Sequence, residues 1–455
     1  MPTIQVSQSL LRVPAFRNLW LAQTLSQLGT QVTVLAIPLV GLLLEASASQ
    51  IGLLYTAEFA PILVLGLPVG ALLDRLPLRP VMLVADAARA LALAVIPIAH
   101  VMGMLTLPLL YVVACVIGLG TLFFDVAQLS YLPALIRQDQ LGEGNAKLEG
   151  SRSLAQLGGP TVGGLLIQVM TAPVALLLDG LSYLASFTLL LFVRADRETQ
   201  TQPKLEGGMR QEIAEGIRYV LRHPVLRPLA MCDASANLGF AAILALQVLY
   251  AARTLGLNPA SIGLVLAAGN AGGLAGALLC GRLTTRFAAG PLMICSLALA
   301  ALGAAVLPLS HSAISFGAGL FLAYAGAVIY NIVQITLRQL VTPERLLNRA
   351  NATLRFIEWG TLPLGAAVGG MLVAPLGLRG VLAAAAAVCA LSMIPALFSA
   401  EVRSAGRLAE GPVSVPRRWR ELADECRAGV PDPELRIRHA DLGGAADLTS
   451  AEPRS

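Results

Sequence analysis

The chain has 455 residues, of which 56% are hydrophobic and only 13% charged, with a formal net charge of +5. Soluble domains carry about 25% charged residues, and a water-soluble core of this size cannot hide so much apolar surface. The composition excludes a soluble enzyme and a nucleic-acid binder, despite a pI near 9.0, and points to a polytopic membrane protein.

A helix needs about 20 apolar residues to cross the hydrocarbon core. Twelve such segments are predicted, near 18–44, 51–73, 81–100, 107–130, 147–169, 174–193, 228–251, 261–281, 290–308, 313–335, 350–374 and 380–398. The expected fold is an all-α membrane protein with twelve transmembrane helices. The N-terminus lacks a basic stretch, a short apolar core and a small-residue cleavage site, so the first helix is expected to be retained. Lys and Arg set the topology. With the N-terminus inside, the inside segments hold Arg12, Arg17, Arg75, Arg79, Arg137, Lys147, seven basic residues from Arg194 to Arg227, Arg282, Arg286, Arg338, Arg345 and Arg349. The outside loops hold Arg253 and Arg379 alone. That asymmetry places both termini in the cytoplasm of a bacterial inner membrane.

In chain order, helix 1 carries Gln23, Gln27 and Gln31, with Thr30, at helical spacing. Such a stripe faces a cavity or a neighbouring helix rather than lipid. Ionisable groups inside a membrane helix are costly, so each is a functional candidate. Glu58 lies about two turns into helix 2 with no charged neighbour in sequence. It reads as a proton carrier, a contact for a cationic substrate, or a neutral structural carboxyl. Residues 66–91 read GLPVGALLDRLPLRPVMLVADAARAL, two membrane helices joined by a tight basic loop. Asp86 and Arg89 are expected near the cytoplasmic end of helix 3, supporting that loop, with Asp125 and Arg152 joining the same network. Asp179 is expected early in helix 6, near the outer surface and wet. Asp233 enters helix 7 with Ser235 and Asn237 nearby, as a functional carboxyl or a helix-end residue. Tyr324, Asn331 and Gln334 offer a polar surface on helix 10. Arg355 and Glu358 are three apart on helix 11 and can pair.

The chain repeats itself. An offset of 211 residues superimposes Gly70 on Gly281, Arg75 on Arg286, and Ile51-Gly52-Leu53 on Ile262-Gly263-Leu264. An offset of 206 places Asn145-Ala146 on Asn351-Ala352 and Gly163-Gly164 on Gly369-Gly370. Two pseudo-symmetric six-helix halves follow, at 1–193 and 228–400. The charged loop 194–227 divides them, and Ile213, Ile217, Val220 and Leu221 predict an amphipathic helix on the membrane there. The tail 401–455 holds nine arginines and ten acidic residues and is expected to be a disordered cytoplasmic segment with at most a short helix near 417–427. GxxxG spacing, as at Gly159/Gly163 and Gly365/Gly369, predicts close helix packing. The six cysteines show no paired spacing and read as small core residues, neither metal ligands nor disulfides.

Twelve helices, a duplicated plan and the loop Gly70-x-x-x-Asp74-Arg75-x-x-x-Arg79 resemble the major facilitator superfamily. Phe16-Arg17-x-Leu19-Trp20, Asp74-Arg75-Leu76-Pro77, Asp86-x-x-Arg89 and Glu215-Gly216-Ile217-Arg218-Tyr219 resemble its branch of drug and siderophore exporters, which includes macrolide efflux pumps and the enterobactin exporter. The resemblance implies halves that rock around a central cavity. It also implies a cytoplasmic latch built on Asp74 and its arginines, weaker in the second copy, where Thr285 precedes Arg286. The chain departs from the family at Leu78 and Pro80, where further basic residues are usual. The expected activity is proton-driven export of a hydrophobic or amphipathic small molecule, by a monomer in the bilayer with no cofactor beyond the proton gradient. No phosphate-binding loop is apparent. A narrow siderophore or metabolite exporter is the alternative, followed by an importer and a non-transporting scaffold.

Overall fold

The computed structural model describes residues 10–73, 76–137, 140–193 and 209–406. Asp74 and Arg75, residues 194–208 of the segment 194–227, and the tail from 407 lie outside the described residues. A 3-10 turn at Leu10–Arg12 leads into α1 (Pro14–Leu43), α2 (Ala48–Leu73), α3 (Leu78–Val101) and α4 (Leu107–Leu135). Then come α5 (Leu141–Met170), α6 (Ala172–Leu191), α7 (Met209–Arg222), α8 (Leu226–Arg253) and α9 (Pro259–Arg286). The series ends with α10 (Ala289–Leu309), α11 (Ala313–Val341), α12 (Glu344–Leu391) and the short α13 (Ile394–Phe398) and α14 (Ala400–Arg403).

Ten helical segments among the described residues are long and apolar enough to cross a membrane. α5 is as long as α1, but its first half carries Glu143, Lys147, Glu149 and Arg152, which lowers its hydropathy. The segments predicted at 350–374 and 380–398 both fall largely within α12, which is broken at Gly377. Gly377 has φ +70°, a left-handed conformation that glycine adopts without a Cβ penalty.

Hydrogen bonds between connections show which helix ends lie together. Arg253 donates to the Ala46 carbonyl (2.8 Å), Tyr111 to Gln50 (3.1 Å) and Tyr250 to Ser310 (3.1 Å). These, with Arg379 against His311, define an arginine-poor end. Arg79, Arg137, Arg282, Arg286 and Arg349 lie toward the opposite, arginine-rich end. There Trp20 donates to Ser151 Oγ at 2.7 Å, joining α1 to α5.

Within the first half α1 packs on α5 and α6, α3 on α4 and α6, and α2 on α4. Within the second, α8 packs on α12, and α11 on α9 and α10. The halves meet where α2 lies against α12 and α5 against α9. Both contacts are glycine-built. A Cβ on Gly52 would stand 2.8 Å from Gly370 Cα, and one on Gly263 would stand 3.2 Å from Gly164 Cα. The core follows the same division. Toward the arginine-poor end, Ala46 and Ile51 share a cluster with Leu246, Leu249 and Ala366. Toward the arginine-rich end the cores separate, one around Phe16, Met82 and Leu190 and another around Val220, Met293 and Leu337.

Inside the first half, Gly118 of α4 lies directly on the α2 backbone at Glu58, so close that a Cβ would overlap the Glu58 carbonyl. At the arginine-rich end, α7 docks on the start of α12. Glu215 pairs with Arg349, and a Cβ on Gly216 would stand 2.9 Å from the Arg349 carbonyl. Val220 is buried while Ile217 and Leu221 stay exposed. The amphipathic helix predicted to lie on the membrane therefore packs on protein along one face, because Gly216 lets the two backbones approach. His223 closes the turn to α8, its Nδ1 accepting from the amides of Val225 (3.2 Å) and Leu226 (3.3 Å).

Two expected outcomes follow from this packing. Gly118→Val should destabilise the α2–α4 crossing by about 1–3 kcal/mol or more, as overpacking does, and thermal unfolding of the purified protein checks it. Burial lowers the His223 pKa from 6.5 to about 4. Its neutral form then contributes stability that is full above about pH 6.5 and lost as pH falls toward 4. Melting temperatures across that window should fall more steeply for the native protein than for His223→Asn.

Candidate functional site

A cavity of about 710 Å³ lies between the halves, walled by α1, α2 and α5 on one side and α8, α9 and α11 on the other. The glycine contacts and the merged core close it toward the arginine-poor end, and the halves part toward the other. Glu58 lines it, together with Gln31, Tyr55, Asn270, Gln247 and Tyr324. The Tyr55 and Phe59 rings stack with centroids 4.6 Å apart, and Phe240 meets Tyr324 edge-on at 5.1 Å. None of the described residues hydrogen-bonds the Glu58 carboxyl. Asn270 Nδ2 donates across the halves to the Gln156 carbonyl at 2.5 Å. The charged lining residues are Glu58 and Glu149, both acidic. The surface can therefore take an amphipathic guest by aromatic and amide contact, and favours neutral or positive charge over negative.

The polar stripe of α1 divides among three tasks. Gln31 reaches the cavity, Gln23 bonds Gln128 of α4, and Thr30 shares a 3.0 Å hydrogen bond with Tyr183 of α6. Gln27 is half-buried and does not line the cavity.

Asp233 does not reach the central cavity, although α8 does through Leu244–Val248. It opens instead on a second cavity of about 220 Å³, with Tyr330, Asn331 and Glu358. Room there suffices for several waters at about 30 Å³ each. Asp233 is 3% exposed and accepts from Tyr330 Oη (2.7 Å) and Gln334 Nε2 (3.0 Å). It is thus buried about two turns inside α8 rather than at the helix end. Arg338, which the sequence reading left as topology alone, is 6% exposed and interacts electrostatically with Asp233 and Glu358. Arg355 forms no direct ion pair with Glu358; its guanidinium lies 5.8 Å from the Trp359 ring centroid.

The expected loop network is differently arranged. α3 begins at Leu78, so Asp86 and Arg89 lie about two and three turns inside the helix, buried at 0% and 3% exposure. They pair with each other. Ser186 donates to Asp86 at 2.6 Å, and the Arg89 guanidinium sits 4.2 Å from the Tyr183 ring and 4.7 Å from Phe124. They thus lie deeper in α3 than the helix end expected for them, and Asp74 and Arg75 of the expected loop network lie outside the described residues. Asp125 interacts with Arg89 and Arg152. Arg79 instead ties the start of α3 to the end of α6, donating to the carbonyls of Leu190 (3.0 Å) and Leu191 (2.5 Å), where a cation complements the helix dipole. Gly70 lies in α2 and Arg286 is exposed at the end of α9. Asp179, expected at the wet outer surface, is fully buried two turns inside α6. Thr33 donates to one of its oxygens, and Ser182 to the other at 2.9 Å. Counting residues from the predicted helix start could not show that α1 covers it.

Residues 6–415 match the family described as transmembrane secretion effectors. The chain is 28% identical over 368 residues to the multidrug efflux pump Tap of Mycolicibacterium fortuitum, covering 77% of this chain and 87% of that one. It is 27% identical over 347 residues to the enterobactin exporter EntS of Escherichia coli O1:K1 / APEC, covering 75% and 82%. In fold it is similar to a bacterial homologue of the iron transporter ferroportin in an inward-facing state, with TM-score 0.68, 18% identity, and 86% and 99% of the two chains covered. A bacterial homologue of the lysosomal transporter Spinster, inward-facing and occupied, gives TM-score 0.67 at 14% identity, over 85% and 96%. The chain belongs to the transmembrane secretion effector family of the major facilitator superfamily, and is a multi-pass membrane transporter of small molecules rather than an enzyme.

Proposed function

We propose that this protein is a proton-coupled exporter of hydrophobic or amphipathic small molecules, working by alternating access. The observation that carries the reading is the central cavity, closed at one end by glycine contacts between the halves and lined by aromatic, amide and acidic side chains. Counting α5 as a span and α12 as two arms about Gly377 makes twelve spans in two six-helix bundles. The arginine-rich end then faces the cytoplasm of the bacterial inner membrane, and the cavity opens inward, ready to load from the cell. Substrate and proton stabilise opposite-facing states, and each shifts the equilibrium only by its differential affinity for the two. Glu58 faces the cavity and contacts the substrate. Asp233 and Glu358, in their own cavity, form a separate acidic centre in the second half.

A second reading, export of a siderophore, is favoured by the likeness to the enterobactin exporter. The acidic lining argues against an anionic guest and for a neutral or cationic one. Cells with the protein should retain less of some lipophilic dye or antibiotic than cells without it, and a protonophore should abolish the difference. Glu58→Gln should reduce that difference at least several-fold for cationic dyes. Equal retention across a broad panel, with a native metabolite missing from the medium of the deletion strain, would instead establish the narrow exporter.

A further inference from the structure

We propose that Asp179 is the proton-binding carboxyl of the first half, reached from the central cavity past Thr33 and coupled to the position of α1. This rests on the proton-coupled reading above and adds a residue and a route to it. Thr33 lines the cavity and hydrogen-bonds Asp179 directly. The carboxyl therefore stands one side chain behind the cavity wall. One turn earlier on α1, Gly29 packs on the same carboxyl, leaving no room for a Cβ beside Asp179 and Ser182.

The charges around Asp179 do not balance if every group is ionised. The titratable and charged groups that face it are Glu58 of α2, Asp86 and Arg89 of α3, and Tyr183 one turn along α6. Arg89 is the cation among them, and its direct partner is Asp86. Asp125 has Arg152 as a second cation nearby. Asp179 is left with hydroxyl donors and no cation of its own. An ionised carboxyl at that depth is costly without a partner, and a proton removes the charge.

The two hydroxyls suit both states. Toward the carboxylate, Thr33 and Ser182 donate. Toward the protonated acid, either hydroxyl can turn and accept, since a hydroxyl is donor and acceptor alike. The step is a simple exchange: an Oδ–H bond forms with a proton from water in the cavity and breaks when the proton returns to water. Glu58 and Asp179 also repel as like charges. A cation seated beside Glu58 and a proton on Asp179 therefore compete to relieve the same repulsion, which is the linkage an antiporter needs. Because Gly29 and Thr33 sit on the helix that lines the cavity, the protonation state of Asp179 acts on the position of α1.

The test is infrared difference spectroscopy of the full chain in liposomes between acid and alkaline pH, reading the carbonyl stretch of protonated carboxyls. Asp179→Asn should lose one titrating component, while Glu58→Gln loses a different one. Thr33→Val keeps the carboxyl and should shift the midpoint of the Asp179 component. An unchanged titration in Asp179→Asn overturns the proposal. If that variant does not fold, an unshifted titration in Thr33→Val overturns it. The measurement needs no substrate. A titrating Asp179 in a protein that moves no dye would therefore refute the broad drug-export reading and leave the proton site standing.

Discussion

Everything about this transporter's cavity depends on two places where glycine touches glycine. Gly52 on α2 meets Gly370 on α12, and Gly263 on α9 meets Gly164 on α5. A side chain at any of the four would hold the halves apart at the arginine-poor end. In a bilayer, lipid is as apolar as leucine, so close backbone packing rather than hydrophobic burial holds helices together. Such contacts need no ion pair to break when the halves part. The four glycines are also two repeat pairs: one offset relates Gly52 to Gly263, the other Gly164 to Gly370. Each seal is thus the counterpart of the other with the halves exchanged.

The buried charges are arranged around this closure. Each half holds a cluster of buried acidic residues outside the lining of the central cavity. In the first half, Asp86, Arg89, Asp125 and Asp179 fill the space between α3, α4 and α6. In the second, Asp233 and Glu358 line a small cavity, and Arg338 interacts with both. Among the described residues, Glu58 and Glu149 are the charged ones that line the central cavity. The buried charges thus cluster within the packed helices, and the space between the halves is sparsely charged.

Much of this was legible before any coordinates. Apolar runs located the helices long and apolar enough to cross a membrane, and Glu58 stood out as an isolated carboxyl between apolar neighbours. Gln31 and Tyr324 were also read as cavity candidates, and both line it. The failures share a cause. Asp86, Arg89 and Asp179 were placed by counting from helix ends that are uncertain by a few residues, and burial depends on what crosses above. Position along one helix says nothing about the neighbour that covers it, so Thr33 and Gly29 over Asp179 left no trace in the residues flanking Asp179 itself. The docking of α7 was not legible either: Gly216 packs against the start of α12 and Val220 is buried, while Ile217 and Leu221 of the apolar face stay exposed.

What the sequence by itself determined is the class of molecule: a duplicated, multi-span, all-helical membrane transporter. Those properties rest on composition, period and charge bias, which are local and additive along the chain. What only the tertiary structure decided is which polar groups meet. Gln23, Gln27 and Gln31 share one stripe, yet one bonds a neighbouring helix, one is half-buried away from the cavity and one faces the cavity. That sorting depends on contacts between residues more than a hundred positions apart, such as Thr33 with Asp179 and Tyr330 with Asp233, and no pattern along a single helix encodes its partner.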